Sequence, residues 1–180
     1  MRIIGGIYRG KKLFSPLSEK IRPTADKARE SVFNILFSTL EKPWSQIRLA
    51  DIFCGTGAFG LESISRGASA VTLVDLDIST AAKNAALFPG EKNKISLTKP
   101  DAANLPAVAA AFDIIFLDAP YHQGLSEKAL SSLIEKKWLA PDGICIVETA
   151  ADEKLSVPAQ MFLTDNRHYG IARFWFLRFK

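Results

Sequence analysis

The spacing of apolar residues changes period at regular intervals along the chain. Short apolar runs, the length of buried strands, alternate with segments in which apolar residues recur every three or four positions. Runs at Ile47–Ile52 (broken by Arg48 and Asp51), Ala70–Val74, Lys94–Thr98, Asp113–Leu117 and Ile144–Val147 predict strands. Between them Ala58–Arg66, Ile78–Phe88, Ala102–Ala110 (interrupted by Pro106) and Ser126–Trp138 predict helices. Strands alternating with helices imply a mostly parallel sheet covered on both faces, an α/β three-layer sandwich. The tail breaks the alternation. Met161–Leu163, a polar turn at Thr164–Asn166 and the aromatic run Tyr169–Phe179 have no helix between them, which predicts an antiparallel hairpin at one edge.

The N-terminal part reads differently. Apolar pairs separated by Gly5-Gly6 and Gly10 predict a short hairpin over Arg2–Phe14, followed by a linker to Pro23. A helix is expected from Thr24, its N-cap, to about Leu40, with Ala28, Val32, Ile35 and Leu36 on its apolar stripe. The chain thus divides into an arm, residues 1–23, and a main domain, residues 24–180.

Asp51–Gly60 is the sharpest local signal: a strand end, three glycines in a G-x-G-x-x-G arrangement, then a helix. Gly55 and Gly57 let a ligand lie against the backbone, and Gly60 lets the helix pack close to the strand. Asp51 precedes the first glycine. A loop built for a pyrophosphate would be repelled by that acid, whereas a ligand bearing an ammonium group suits it. S-adenosylmethionine carries an ammonium and a sulfonium. Asp75 follows Gly55 by twenty residues, the spacing of a carboxylate that accepts ribose hydroxyls. Asp77 reads as a first-turn helix acid, Asp101 as a candidate for an adenine amino group, and Cys54 as a small loop residue near the ligand.

Composition limits the alternatives. At 180 residues, nearly half of them apolar, the chain makes one domain with a short appendage. No stretch is apolar enough to span a membrane. Two cysteines, Cys54 and Cys145, are too few for a disulfide framework or a zinc site, which fits a reducing cytoplasm and no metal. The net charge is +4, and residues 1–30 alone hold eight basic and three acidic side chains. A basic arm on a near-neutral domain is the footprint of a polyanion, and Arg2, Arg9, Lys11, Lys12 and Arg22 are its candidate phosphate contacts.

Asp118-Ala-Pro-Tyr121 follows a buried strand and so emerges at the active edge of the sheet. The exocyclic amine of a base is a poor nucleophile, because its lone pair is delocalised. A carboxylate and a backbone carbonyl that accept its hydrogens can redirect that pair. Asp118 has the first role, Pro120 stiffens the loop, and Tyr121 offers a face on which the base stacks. His122 and His168 read as solvated.

These motifs resemble the class I S-adenosylmethionine-dependent methyltransferases that modify exocyclic amines, with Ala119 standing at the first proline of their Asp/Asn-Pro-Pro-aromatic signature. Arg2-Ile-Ile-Gly-Gly6, Tyr8-Arg-Gly-Lys-Lys-Leu13, the block Arg22–Glu30 with Phe33-Asn34, Trp138-Leu139 and the aromatic tail resemble the RsmD family. That resemblance implies a seven-stranded sheet of order 3-2-1-4-5-7-6 and methylation of guanine N2 in small-subunit (16S) ribosomal RNA. Thr24, inside the block, joins the cofactor-binding candidates. Three other readings stay open from the residues: an adenine-N6 methyltransferase, a non-catalytic RNA-binding protein of the same fold, and a nicotinamide-dependent oxidoreductase. Asp51 and the short chain weigh against the last.

Overall fold

Each strand of the sheet sorts its residues onto two faces, and the two faces carry two separate cores. The computed structural model describes residues 1–15 and 23–180, with side chains of the first helix described from Asp26 onward. Strands β1 (Arg48–Ile52), β2 (Ala70–Val74), β3 (Ile95–Thr98), β4 (Phe112–Leu117), β5 (Leu139–Ala150), β6 (Met161–Tyr169) and β7 (Ala172–Phe179) form one sheet. Its order is β3-β2-β1-β4-β5-β7-β6. The first five strands are parallel; β7 runs antiparallel to β5 and β6 antiparallel to β7. This is the expected α/β sandwich with its C-terminal hairpin.

Leu49, Ile114, Phe116, Ile144, Ile146, Phe174 and Phe176 face one core, shared with helices α1 (Pro23–Thr39), α2 (Ala58–Ser65) and α3 (Ser79–Ala85). Ala50, Ile52, Ile115, Leu117, Cys145, Val147, Trp175 and Leu177 face the other, shared with α4 (Leu125–Glu135). The alternation follows from the two-residue period of a strand. Phe33 of α1, Phe59 of α2 and Phe116 of β4 stack in a ladder, with centroids 4.6 and 3.7 Å apart, and tie both helices to the sheet.

The N-terminal arm is laid along the first face. Ile3 and Leu13 are 1% and 7% exposed, and one antiparallel bridge, Arg2 to Lys12, closes the hairpin. Glu62, fully buried on α2, accepts the N–H groups of Ile4 and Gly5 at 2.7 Å each. Ser65 Oγ accepts the Tyr8 N–H and donates to the Gly5 carbonyl. Asn84 of α3 pairs with both backbone groups of Phe14. Gly6 lies at φ +77°, and a Cβ there would fall 1.9 Å from the Ser65 carbonyl oxygen. Gly5-Gly6 therefore serves close approach to α2 as well as turning the chain.

Several expected boundaries move. The predicted helix Ala102–Ala110 is only a single 3-10 turn, Ala102–Asn104. Leu105 is extended at ψ 143°, as the residue before Pro106 must be to avoid its ring. The polar turn expected at Thr164–Asn166 lies inside β6, where a bulge between Leu163 and Asp165 absorbs it; the chain turns instead at Gly170, φ +62°. Polar residues there mark an edge strand rather than a turn. Conversely β5 extends back through Pro141-Asp-Gly143 to Leu139, with a register shift against β4. Helix α4 stops at Glu135, ahead of the predicted Trp138, because Lys137 takes the left-handed conformation at φ +55°. Helix α1 begins at Pro23, so Thr24 lies within it rather than capping it.

Packing is also tight where α2 crosses β1 and β2. A Cβ on Gly60 would meet Leu73 Cδ2 at 2.4 Å and Val71 Cγ2 at 2.8 Å. Gly60→Ala is expected to destabilise the protein by about 1–3 kcal/mol through overpacking. Gly90→Ala, where the nearest atom is Tyr8 Oη at 3.6 Å, should stay within about 0.5 kcal/mol of the parent. Urea unfolding of both variants measures the contrast; equal stability would show that α2 can retreat from the sheet.

Candidate active site

Four strands of the parallel sheet deliver residues to one cleft of about 660 Å³ at their carboxyl ends. β1 supplies Asp51 and the loop after it Phe53, Cys54, Gly55 and Thr56; the end of β2 supplies Asp75 and Leu76, the end of β4 Asp118–Tyr121, and β5 Glu148. Ile171, Ala172 and Phe174 of the C-terminal hairpin close one side, and Met1 and Arg29 another. Parallel strands pointing the same way converge their ends on one edge, so residues distant in sequence meet there.

The loop conformation follows from its glycines. Gly55 and Gly57 lie at φ +51° and +74°, and Phe53 joins them at +61°, unusual for a residue with a Cβ. A Cβ on Gly55 would meet nothing within 4 Å, so its open face is toward the cleft, where a ligand can approach the main chain. Asp51 is 2% exposed, and its Oδ2 accepts the Gly60 N–H at 2.8 Å. Burial pushes its carboxyl up to about 7; the Gly60 hydrogen bond opposes the shift, the Asp75 charge adds to it, and Arg29 opposes it. Ionising Asp51 is thus costly until a cation stands beside it.

Asp75 is held at both oxygens: Oδ2 accepts the Gly55 N–H at 2.9 Å and Oδ1 the Asp77 N–H at 3.1 Å. Those bonds fix the carboxylate beside the glycine loop, and each oxygen retains accepting capacity for a hydroxyl. Asp77 accepts the Ser79 N–H at the start of α3, which lowers its pKa; it is absent from the cleft lining. Asp101 also stays outside the lining, exposed, and accepts the Ala103 N–H, as an ordinary N-cap does. Cys54 lines the cleft, but burial beside Asp51 and Asp75 raises its thiol pKa, so it is no nucleophile. Cys145, buried in the second core, is pushed up to about 12 by desolvation.

On the neighbouring strand, β4, the Asp118 N–H donates to the Ile52 carbonyl, pinning the Asp-Ala-Pro-Tyr segment against the end of β1. Ala119 is buried in the second core, while Pro120 faces out. The Tyr121 hydroxyl donates to Glu148 Oε1 at 2.8 Å. Burial raises the Glu148 pKa, and the Tyr121 hydrogen bond holds it back. His122 adopts φ +59° beside Asp152 and lies outside the cleft lining. Among the arm's basic residues, Arg2, Arg9 and Lys12 are exposed, and Lys11 lies over the Tyr8 and Phe88 rings at 5.4 and 5.5 Å. Arg22 and the Thr24 side chain lie outside the described residues.

Sequence reasoning missed Arg29, Met1, Phe53 and Ile171 as cleft residues. Arg29 had a readable signal. It stands three, four and seven positions before Val32, Phe33 and Leu36, on the apolar stripe of α1, where a charge is unusual. Ile171 had none, since its place depends on where the hairpin turns. Among the described residues no group of three or more His, Cys, Asp or Glu could hold a metal, and no helix is long and apolar enough to cross a membrane.

Residues 1–178 match the family described as Conserved hypothetical protein 95. The Ribosomal RNA small subunit methyltransferase D of Haemophilus influenzae is 35% identical over 180 residues, covering 97% of this chain and 91% of the relative. Its namesake in Escherichia coli K12 is 34% identical over 167 residues, covering 91% and 82%. A solved Escherichia coli structure described as a methyltransferase aligns with TM-score 0.81 and 29% identity, over 100% of this chain and 98% of that one. A Haemophilus influenzae methylase structure aligns at 0.78 and 30%, over 98% and 96%. With matches of that length and a class I methyltransferase sheet, the chain belongs to the Conserved hypothetical protein 95 family, the RsmD family of methyltransferases.

Proposed function

We propose that this protein transfers a methyl group from S-adenosylmethionine to the exocyclic N2 amine of a guanine in small-subunit ribosomal RNA, in the cytoplasm. The observation that supports this most is the meeting, in one cleft, of the Asp51–Gly57 loop and Asp75 on one side with Asp118–Tyr121 on the other. The relatives' names supply the RNA class.

The residues fit the donor. Gly55 offers open backbone, Asp75 a fixed carboxylate for ribose hydroxyls, and Asp51 a buried acid for an ammonium group. When bound, S-adenosylmethionine supplies an electrophilic methyl group. The protein's part is to place the amine and shape its lone pair. Asp118 accepts one amine hydrogen, and a loop carbonyl accepts the other. Both contacts tighten as the nitrogen pyramidalises, so they stabilise the transition state more than the ground state. Tyr121 stacks on the flipped base, and its hydroxyl bond to Glu148 fixes the ring's direction. Holding the base in line with the methyl group supplies much of the rate through orientation.

Donor binding should depend on pH through Asp51. The ammonium favours the ionised carboxylate, so affinity is expected to rise about tenfold per unit as pH rises toward about 7, then level. In the free protein the same raised pKa acts on stability in the opposite sense. Asp51 binds its proton more tightly folded than unfolded, so its contribution is full below about pH 4 and is lost as pH rises through about 7. Isothermal titration between pH 5.5 and 7.5 in two buffers reads the affinity and the released proton; a flat profile would show that Asp51 is not the ammonium partner.

Asp118→Ala is expected to lower turnover about 10²–10³-fold with donor and RNA affinity nearly unchanged. Tyr121→Ala should weaken RNA binding as well as turnover. Tyr121→Phe keeps the stacking face but leaves half-buried Glu148 without its hydroxyl donor, and separates the two roles. Transfer of labelled methyl to small ribosomal subunits is the assay, and full turnover by Asp118→Ala would remove the mechanism.

For the arm, deletion is uninformative, because Ile3 and Leu13 belong to the core. Replacing the exposed Arg9 and Lys12 with Gln should flatten the dependence of log affinity for RNA on log salt, by about 0.7–0.9 for each phosphate no longer neutralised. Donor affinity should not move. An unchanged salt slope would mean that these charges serve solubility alone.

A further inference from the structure

Arg29 is a charge in an expensive place. Its side chain is 9% exposed, on the face of α1 that also buries Ala28, Val32 and Phe33. A guanidinium buried to that degree needs its donors used. They are only partly used. Nη2 donates to the Arg2 carbonyl at 2.7 Å and to Asp26 Oδ1 at 3.1 Å. Nε is 3.8 Å from Glu62 Oε2, beyond hydrogen-bond range, and has no hydrogen-bond partner among the described residues. Glu62 is not waiting for it, because Glu62 already accepts the Ile4 and Gly5 N–H groups and Arg66 Nε.

Arg29 also lines the cleft, as do Met1, Thr56, Asp51 and the glycine loop. Its ion pairs go to Asp26 and Glu62, and its charge reaches Asp51 without an ion pair between them. The cleft lining thus offers an acid and a base that do not neutralise each other directly. The acid has one N–H donor, from Gly60; the base has an unsatisfied one. Such a pair suits a zwitterion with both charged groups on one carbon, and an α-amino acid end is that zwitterion. A planar guanidinium is also the side chain best matched to a carboxylate.

We infer that Arg29 recognises the carboxylate at the amino-acid end of the methyl donor while Asp51 takes its ammonium group, a reading that rests on the donor proposed above. Arg29 then joins two regions. Through Nη2 it holds the backbone of Arg2, in the basic arm; through the cleft it holds the donor. Specificity follows: the pocket distinguishes a full adenosyl amino acid from adenosyl compounds that have lost the carboxylate or the whole amino-acid end.

The test compares ligands. Isothermal titration is done with S-adenosylhomocysteine, with decarboxylated S-adenosylhomocysteine and with 5′-methylthioadenosine, which lacks the amino-acid end. Parent, Arg29→Lys and Arg29→Gln are titrated, with thermal unfolding recorded alongside. In the parent, loss of the carboxylate should weaken binding more than tenfold, a measurement that needs no variant. Arg29→Gln should weaken S-adenosylhomocysteine at least tenfold, leave 5′-methylthioadenosine within twofold, and erase the difference between the carboxylated and decarboxylated ligands. Arg29→Lys should fall between. Equal losses for all three ligands would overturn the inference, because they would mean that Arg29 only pins the arm. So would unchanged S-adenosylhomocysteine affinity in Arg29→Gln, which would leave the carboxylate to the first turn of α2. A parent that binds none of the three would instead sink the donor reading itself.

Discussion

The hydrogen bond from the Gly60 N–H to the buried Asp51 carboxylate, and the absence of any room for a Cβ at Gly60, set the rest of the structure. They bring α2 down onto β1 and β2, which forces the intervening loop through left-handed backbone at Phe53, Gly55 and Gly57. That loop exposes its main chain to the cleft and fixes Asp75 through the Gly55 N–H. Burial beneath α2 raises the Asp51 pKa, with the Gly60 hydrogen bond opposing part of the rise, and leaves the carboxyl in need of a cation. One close approach therefore shapes the loop, places Asp75 and tunes Asp51, the two acids proposed for the donor's ribose and ammonium groups.

All eight residues of α2 are buried, and the helix works in both directions. Toward the sheet it supplies the Gly60 contact and the middle ring of the Phe33–Phe59–Phe116 ladder. Toward the N-terminus it supplies Glu62 and Ser65, which bind the backbone of the arm. Buried Glu62 would be a liability unpaired; here two amides and Arg66 satisfy it. The basic arm and the proposed donor site are thus built on one element, α2. This suits an enzyme in which a long polyanion must be held while a single base enters the cleft.

Much of this was legible before the structure. The alternation of buried runs and helical stripes gave the parallel sheet, because each strand buried on both faces is a continuous apolar run. Asp51, Gly55, Asp75 and Asp118–Tyr121 do line one cleft, because all sit at carboxyl ends of parallel strands. What the pattern could not give depended on tertiary partners. Asp101 looked like a ligand group and instead caps a turn, a distinction made by the neighbouring N–H. The polar stretch Thr164–Asn166 looked like a turn because an edge strand needs no apolar outer face. Tyr121 and Glu148 pair across a sequence separation of twenty-seven, which no local spacing records. Ala119, in place of a signature proline, is buried in the second core, so packing as well as ring rigidity can hold that loop.

The central claim is that the cleft methylates an exocyclic guanine amine of small-subunit ribosomal RNA. The most direct measurement is mass spectrometry of nucleosides from small subunits incubated with the protein and isotopically labelled S-adenosylmethionine. One labelled product is expected, N2-methylguanosine, formed about 10²–10³-fold more slowly when Asp118→Ala replaces the parent. Label in N6-methyladenosine or in a ring-carbon-methylated base, or no label in RNA while the donor binds, would contradict it.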